Sequence, residues 1–344
     1  MHELKRLADS LQLIAKRPQP LRPEGELEVF MRGCIEHGLD DLAAPGSGST
    51  LERWRALALV AGHDLALAKL YESHTDARAI LTELGAGQHY LPGIWAVWAA
   101  EPPHARLEVA HVEHGVMLLN GRKAWCSGAS QIDHALVTAW SDDQQPQLLA
   151  VNLRQPQVQV GSQGWQAVGM AATASVEVEF NMAPARPLGL PGDYLRRPGF
   201  WHGGAGIAAC WYGAAVALAD YLKQACTGRD DAHAHAQAHL GAVDVSLQAA
   251  ASSLRDTARW IDANPQCDAQ LLVLRVRAQV ERAAEAVLRH VGRALGAAPY
   301  CQDARFARLA ADLPVFMRQS HAERDLAELG RLLVVQQPDA SWEL

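Results

Sequence analysis

The chain has 344 residues, of which 49% are hydrophobic and 20% are charged, and its formal net charge is −7. A chain of this length can form two or three domains or layers, each with its own core. The composition is that of a globular protein. The acidic balance, without a block of lysine or arginine, argues against a nucleic-acid-binding surface as the main function.

The cysteines and the most apolar segment bear on the location of the protein. The six cysteines are scattered without a Cys-x-x-Cys pair, and the N-terminus lacks an apolar signal segment, which predicts reduced thiols in a cytoplasmic protein. Residues 198–219 carry no formal charge. Because glycine and alanine dominate this segment and His202 lies within it, we expect a buried, tightly packed helix and no membrane span.

Residues 1 to about 90 have the apolar spacing of helices. Ser49 and Thr50 follow a small-residue loop and are candidate N-caps for the next helix. Farther on, Tyr71 and His74 are three residues apart, which places them on one helical face. We expect a packed tyrosine and a hydrogen-bonded core histidine at these two positions.

Residues 116–180 have a different pattern, in which apolar and polar residues alternate in short runs. Period-two alternation separated by turn residues predicts antiparallel strands with one buried face. We expect a turn at Asn120-Gly121 and a polar loop over residues 141–146. An indole and a hydroxyl group, those of Trp125 and Ser127, lie at the end of one predicted strand and suggest a ligand-binding surface.

A connector rich in proline and glycine, residues 183–199, predicts a domain boundary. Beyond it, long Ala/Leu/Arg patterns have the periodicity of bundle helices over residues 240–260, 271–295 and 306–333. The predicted fold is therefore α+β. It comprises an N-terminal α-helical domain (1–92), a central antiparallel β-barrel or sheet domain (93–190) and a C-terminal antiparallel four-helix bundle (191–344).

Four segments carry a resemblance to a known family. They are WAAEP (98–102), LNGRKAWCSGA (119–129), GMAATASVEVEF (169–180) and CQDARFARLAADLP (301–314). In order and spacing they resemble the Thr-Glu-Pro segment, the Trp-containing strand and turn, the Gly-Met-Arg strand and the Arg-Asp-Ala-Arg stretch of the acyl-CoA dehydrogenase family of flavoproteins. The resemblance covers nearly the whole chain.

The resemblance implies an FAD bound between the β-domain and the C-terminal bundle. By position, Trp125 would flank the isoalloxazine ring, Ser127 would offer its hydroxyl group to flavin N5, and the backbone from Trp98 to Ala100 would contact the pyrimidine side of the ring. A flavin site needs an apolar, aromatic wall and a few placed hydrogen-bond donors. The family also implies pairing through the bundle, as a homodimer or homotetramer.

Some family motifs are missing from this sequence. Ala171 and Ala174 stand where the family has an arginine and an acidic residue. The Arg-x-x-Phe-Gly segment and the Gly-Gly-x-Gly loop, which reach the pyrophosphate and the adenine of FAD, are not recognisable. We therefore expect FAD to be held more weakly or differently, or a different oligomer.

The catalytic base of the family, a carboxylate that removes a proton alpha to the thioester, also has no matching motif. Asp312 lies near the equivalent position and is one candidate. Glu323 is a second, although its polar neighbours also fit a set of surface ion pairs. His202 occupies an alternative base position and also fits a core or capping histidine. His235 and His239 are spaced i,i+4 without a metal-binding motif, so we expect no metal site.

Three functions follow from these observations. The leading one is an FAD-dependent oxidoreductase that oxidises a CH–CH bond of an acyl-CoA or a related acyl thioester, with hydride transfer to flavin N5 and a flavoprotein or reductase as electron partner. The second is a flavin-dependent monooxygenase on the same scaffold, indicated by the missing glutamate and by the Phe200-Trp201-His202 start of a Gly/Ala-rich helix. The third is a binding protein that has lost the flavin.

Overall fold

The structure is a computed structural model that describes residues 2–15, 25–102, 105–141, 145–162, 164–227, 234–336 and 342. It divides into two compact units. The first comprises Met1–Ala44 and Ala66–Phe200, and the second comprises Pro45–Leu65 and Trp201–Leu344. The fold class is α+β, as predicted, whereas the three-domain boundaries remain a prediction.

The described residues form helices and strands with the following bounds, given in chain order. The helices are α1 (His2–Ala15), α2 (Glu26–Glu36), α3 (Thr50–His63), α4 (Leu65–Glu83), α5 (Asp193–Arg196), α6 (Gly199–Cys226), α7 (Ala234–Ala263), α8 (Gln270–Leu295), α9 (Ala298–Gln302), α10 (Ala304–Met317) and α11 (Glu323–Gln336). The strands are β1 (Trp95–Trp98), β2 (Leu107–Glu113), β3 (Val116–Cys126), β4 (His134–Trp140), β5 (Pro146–Asn152), β6 (Val158–Val160) and β7 (Val176–Leu188).

The strands of the first unit form a closed ring. β4 pairs with β2, β2 with β3, β3 with β7, β7 with β5, and β5 again with β4. β1 and β6 extend β4 and β7. All pairs are antiparallel except β1–β4 and β2–β4, which are parallel. Closure leaves few unpaired strand edges. The predicted antiparallel sheet within an α+β fold is confirmed.

Two local predictions within the barrel are wrong. Asn120-Gly121 does not form a turn, because β3 continues through it and the chain turns at His114-Gly115 instead. Gly121 has φ +115°, and a Cβ there would lie 2.8 Å from the carbonyl oxygen of Arg106, so the glycine permits the close approach of the chain at the start of β2. The predicted connector also begins later, because β7 continues to Leu188 with alternate residues still buried.

A buried ion pair lies inside the barrel. The side chain of Lys123 is fully buried, and its ammonium group donates to Glu101 Oε1 at 3.2 Å and to Thr138 Oγ1 at 2.7 Å. Glu101 also accepts from the Thr138 hydroxyl at 2.5 Å and from Trp140 Nε1 at 2.7 Å. Burial lowers the pKa of Lys123, and the charge of Glu101 opposes this effect only in part.

The predicted tyrosine and histidine of α4 are both satisfied in the core. Tyr71 donates to the carbonyl oxygen of Leu39 at 2.5 Å. His74 Nδ1 accepts from the backbone N–H of Trp95 at 3.0 Å, so the ring hydrogen lies on Nε2 and points to Asp40 Oδ2 at 3.0 Å. This arrangement joins α4 to the start of β1.

In the second unit, α3 and α6 approach closely at glycine. A Cβ at Gly213 would lie 2.0 Å from the carbonyl oxygen of Ala58, and one at Gly62 would lie 3.3 Å from that of Gly213. α6 is long and apolar enough to cross a membrane by composition, but 72% of its most apolar window is buried in the protein. The prediction of a buried, tightly packed helix is therefore confirmed.

One prediction about the remaining helices of the second unit is wrong. The pattern over residues 306–333 is two helices, α10 and α11, because the chain leaves helical geometry before Ala322, whose φ is +46°. Elsewhere, α7 and α8 pack together and bring His239 Nδ1 to within 2.8 Å of His290 Nδ1. Burial, together with the nearby Arg289 cation, lowers the pKa of His290.

Candidate functional site

The site begins where β3 ends and β7 starts. Cys126 and Val176 are register partners in this antiparallel pair, so the next residue of one strand, Ser127, faces the preceding residue of the other, Ser175. Their Oγ atoms are 2.8 Å apart. Ser175 Oγ lies 3.1 Å from Thr173 Oγ1, which donates to the carbonyl oxygen of Met170 at 2.7 Å. We call Ser127, Ser175 and Thr173 the hydroxyl chain.

Backbone contacts hold this arrangement in place. Gly128 N donates to the carbonyl oxygen of Thr173 at 2.7 Å. Gly128 has φ +71°, and a Cβ there would lie 3.1 Å from the side chain of Leu70, so another residue would be strained in conformation and would crowd Leu70. Trp98 Nε1 donates to the carbonyl oxygen of Ser127 at 3.3 Å. The structure thus brings together Trp98 and Ser127, two of the predicted flavin-binding residues.

Three non-glycine residues around the hydroxyl chain have left-handed backbone conformations. The φ angles are +59° at Trp125, +56° at Met170 and +38° at Ala174. Such conformations cost roughly 1–3 kcal/mol each and concentrate at binding and catalytic sites. The strain at these strand ends is therefore consistent with a functional role for the turn, beyond connecting two strands.

An exposed indole adjoins the hydroxyl chain. Trp125 is 57% exposed, so it is not a core aromatic residue. Its ring meets that of Trp165 edge-on, with centroids 6.5 Å apart. Trp165 Nε1 is buried and has no hydrogen-bond partner among the described residues. An open aromatic face, an unused N–H group and a hydroxyl group together fit a planar, polar ring system such as a flavin.

Sequence reasoning did not single out Trp165. The available signal was a tryptophan directly after a glycine in a polar loop, Gly164-Trp165, where an indole has no predicted strand or helix face to bury it.

Structural comparison places this site in a known fold. No protein-family profile and no curated protein matches the chain. The structure of KijD3 in complex with FMN and dTDP-3-amino-2,3,6-trideoxy-4-keto-3-methyl-D-glucose matches 97% of this chain and 93% of its own, with a TM-score of 0.80 and 19% identity. TdsC from Paenibacillus sp. A11-2 with FMN and indole matches 98% of this chain and 97% of its own, with a TM-score of 0.77 and 16% identity.

Methanesulfinate monooxygenase MsuC from Pseudomonas fluorescens also matches 98% of this chain and 97% of its own, with a TM-score of 0.74 and 16% identity. The chain has the acyl-CoA dehydrogenase fold. The fold implied by the sequence motifs is thereby confirmed over nearly the whole chain. At these identities the likeness establishes the fold, and function depends on the residues of the site.

In this acyl-CoA dehydrogenase fold, the remaining predicted residues have varied environments. Ala100 is exposed just after β1. His202 is buried in α6, where a Cβ on Gly46 would lie 3.6 Å from its Nδ1 atom. Asp312 is buried in α10. Glu323 is exposed at the start of α11.

The surroundings of Glu323 match the surface interpretation. His321 and Asp325 form an i,i+4 contact of 3.4 Å beside it, and Glu323 lines a small cleft of about 160 Å³ with other charged side chains. Asp312, His202 and Glu323 all belong to the second unit, whereas the hydroxyl chain and Trp125 belong to the first. Their role as catalytic bases stays a prediction.

Proposed function

We propose that this chain is a flavin-dependent monooxygenase, with FMN as its flavin and a small molecule as its substrate. The observation that carries the proposal is the hydroxyl chain beside the exposed Trp125 at the strand ends of an acyl-CoA dehydrogenase fold. In the proposed complex Trp125 covers one side of the flavin ring, and Ser127 contacts its N5 edge. Trp165 Nε1 supplies a further hydrogen-bond donor.

Two observations support FMN over FAD. The chain lacks recognisable counterparts of the two family segments that reach the pyrophosphate and the adenine of FAD, and FMN contains neither group. Two structures with the same fold, those of KijD3 and TdsC, hold FMN. FAD therefore stands as the alternative flavin, held without those contacts.

The candidate carboxylates fit monooxygenation better than acyl-CoA oxidation, which needs a catalytic base. Alpha-proton abstraction needs a positioned carboxylate shielded from water. Glu323 is exposed beside the His321–Asp325 contact, and Asp312, although buried, lies in no segment that matches the base motif of the family. TdsC and MsuC, which share the fold, are a dibenzothiophene monooxygenase and a methanesulfinate monooxygenase. When bound and reduced, the flavin would supply two electrons to O₂, so that one oxygen atom enters the substrate and the other leaves as water.

The second candidate is oxidation of an acyl thioester. The motifs around Trp125 and Gly169-Met170 support it, with Asp312 as the buried carboxylate that would abstract the proton. Anaerobic addition of acyl-CoA thioesters to the flavin-loaded protein would bleach the flavin absorbance in this case. Loss of bleaching in Asp312→Asn, with binding retained, would identify the base.

The remaining expectations accompany the monooxygenase proposal. A separate reductase would supply the reduced flavin, the protein would form a homodimer or homotetramer, and it would act in the cytoplasm.

The first test is flavin binding. We expect FMN to quench tryptophan fluorescence saturably, and reduced FMN to remain with the protein on anaerobic gel filtration. Removing the aromatic wall in Trp125→Ala would weaken binding about tenfold, because stacking on an indole contributes about 1–3 kcal/mol. Trp342→Ala is the matched control, because Trp342 is 96% exposed and should leave the affinity unchanged.

The second test separates the candidate activities. Reduced FMN bound to a monooxygenase should be reoxidised by O₂ at a rate different from that of free reduced FMN, and Trp125→Ala should restore the free rate. A protein that takes up neither FMN nor FAD would support the binding-protein hypothesis and overturn both enzyme proposals.

A further inference from the structure

The hydroxyl chain has a direction that its contacts determine. A serine or threonine hydroxyl group has one hydrogen to donate and two lone pairs to accept with. Thr173 Oγ1 lies 2.7 Å from the carbonyl oxygen of Met170, which can only accept. Thr173 is 1% exposed, so water does not share this contact, and its single hydroxyl hydrogen is committed to Met170.

The direction of the next two hydrogen bonds follows. Since the Thr173 hydrogen is committed, the 3.1 Å contact between Thr173 and Ser175 requires that Ser175 donates. The single hydrogen of Ser175 is then also committed, so the 2.8 Å contact requires that Ser127 donates to Ser175. The reverse order would leave two buried oxygens 2.7 Å apart without a hydrogen between them, which is costly.

The hydroxyl group of Ser127 therefore has only lone pairs left to offer a ligand. Ser127 is half-buried, so a ligand can reach this residue while its hydroxyl hydrogen points to Ser175. Toward that ligand Ser127 is a hydrogen-bond acceptor. This direction is opposite to the one that the family resemblance implies, in which Ser127 donates its hydroxyl hydrogen to flavin N5.

We infer that the hydroxyl chain selects the reduced flavin, and that Ser175 and Thr173 are positioning residues for this selection. The inference rests on the proposed function in one respect, namely that the ligand is a flavin. N5 of an oxidised flavin has a lone pair and no hydrogen, whereas N5 of a reduced flavin carries a hydrogen. An acceptor at Ser127 favours the reduced form and repels the lone pair of the oxidised form.

This selectivity suits an enzyme that receives reduced flavin from a separate reductase. Reduced flavin would bind before the reaction with O₂, and oxidised flavin would be released afterwards. The residues of this chain thus set both the preference for the incoming cofactor and the release of the spent one.

The test compares the affinities for the two redox states of FMN. Dissociation constants are measured anaerobically with oxidised and dithionite-reduced FMN. We expect the wild-type protein to bind reduced FMN about tenfold more tightly, the effect of one hydrogen bond. The midpoint potential of bound FMN should then lie about 30 mV above that of free FMN, since tenfold corresponds to about 30 mV for a two-electron couple.

Variants test the direction of the chain. Ser175→Ala and Thr173→Val each free a hydrogen for Ser127 to donate outward, so oxidised FMN should bind about tenfold more tightly while the affinity for reduced FMN changes little. Ser127→Ala should instead weaken the binding of reduced FMN. Thr173→Ser should keep the wild-type ratio, and Ser130→Ala, at an exposed serine in the same turn, serves as the matched control.

The outcomes distinguish the inference about the hydroxyl chain from the proposed function. Equal affinities for both redox states, or a preference for oxidised FMN, would overturn the selection by the hydroxyl chain while leaving a flavoprotein. A wild-type preference that both Ser175→Ala and Thr173→Val retain would also overturn it. Failure to bind FMN in either state would overturn both this inference and the proposed function. If Ser175→Ala does not fold, as judged by thermal unfolding, Thr173→Val decides the result.

Discussion

The buried ion pair in the barrel provides a quantitative test of the structure. In Glu101→Gln, the three donors around position 101 lose a carboxylate, and the fully buried Lys123 ammonium loses its counter-charge. Breaking a buried pair by removing one partner costs about 3–5 kcal/mol. Glu101 is 23% exposed, so water can partly replace the carboxylate, and we expect about 3 kcal/mol.

An upper limit comes from the chemistry of lysine. If Lys123 loses its proton at pH 7, the cost relative to its ordinary pKa of 10.5 is about 5 kcal/mol, at about 1.4 kcal/mol per pH unit. For a unit of this size, 3 kcal/mol corresponds to a fall in Tm of about 6–12 °C. Differential scanning calorimetry measures this shift.

The pH dependence distinguishes a charge effect from lost packing. The folded-state pKa of Lys123 is already lowered, and Glu101→Gln removes the charge that opposes this lowering. In this variant the pH range in which Lys123 is neutral in the folded state and protonated in the unfolded state is wider than in the wild type. Over that range the unfolded state binds more protons, so stability rises with pH. We expect the deficit of Glu101→Gln to narrow between pH 7 and pH 10.

An exposed pair on neighbouring strands is the control. Arg122 and Glu177 lie 3.3 Å apart, with side chains 55% and 43% exposed. Glu177→Gln should change stability by less than about 1 kcal/mol. If Glu101→Gln lowers Tm by less than 2 °C, or if its loss of stability relative to the wild type does not change with pH, the assignment of a buried, charge-dependent pair is refuted.

Two further predictions concern the second unit. Gly213→Ala should lower the stability of this unit by about 2–3 kcal/mol, because a Cβ there overlaps the α3 backbone. Gly241→Ala, in open space on α7, should raise the stability by about 0.5–1 kcal/mol. Thermal unfolding measures both changes, and shifts of the same sign would contradict the packing. Because the pKa of His290 is lowered from 6.5, the unfolded state takes up a proton first as pH falls, and stability is lost below about pH 6.5. His290→Gln should reduce that loss, as followed by unfolding between pH 5 and 7, and His235→Gln, at an exposed histidine of α7, should not.

Local periodicity determined much of this fold. Alternation of apolar residues predicted the strands of the barrel, and the uncharged, small-residue composition predicted that α6 is buried. The motif around Trp125 and Ser127 located the candidate site and indicated the fold. These features are available from the sequence because one buried face imposes a repeat of 2 or 3.6 residues on each element.

Tertiary structure decided the features that depend on distant residues. Ser127 and Ser175 meet only because of the register between β3 and β7, and that contact sets the direction of the hydroxyl chain. Gly121 was predicted in a turn but lies within β3, where its role depends on the close approach of the chain at the start of β2. Trp165 has no local pattern that links it to Trp125. Strand register and contacts between residues distant in sequence arise from packing, which local periodicity does not encode.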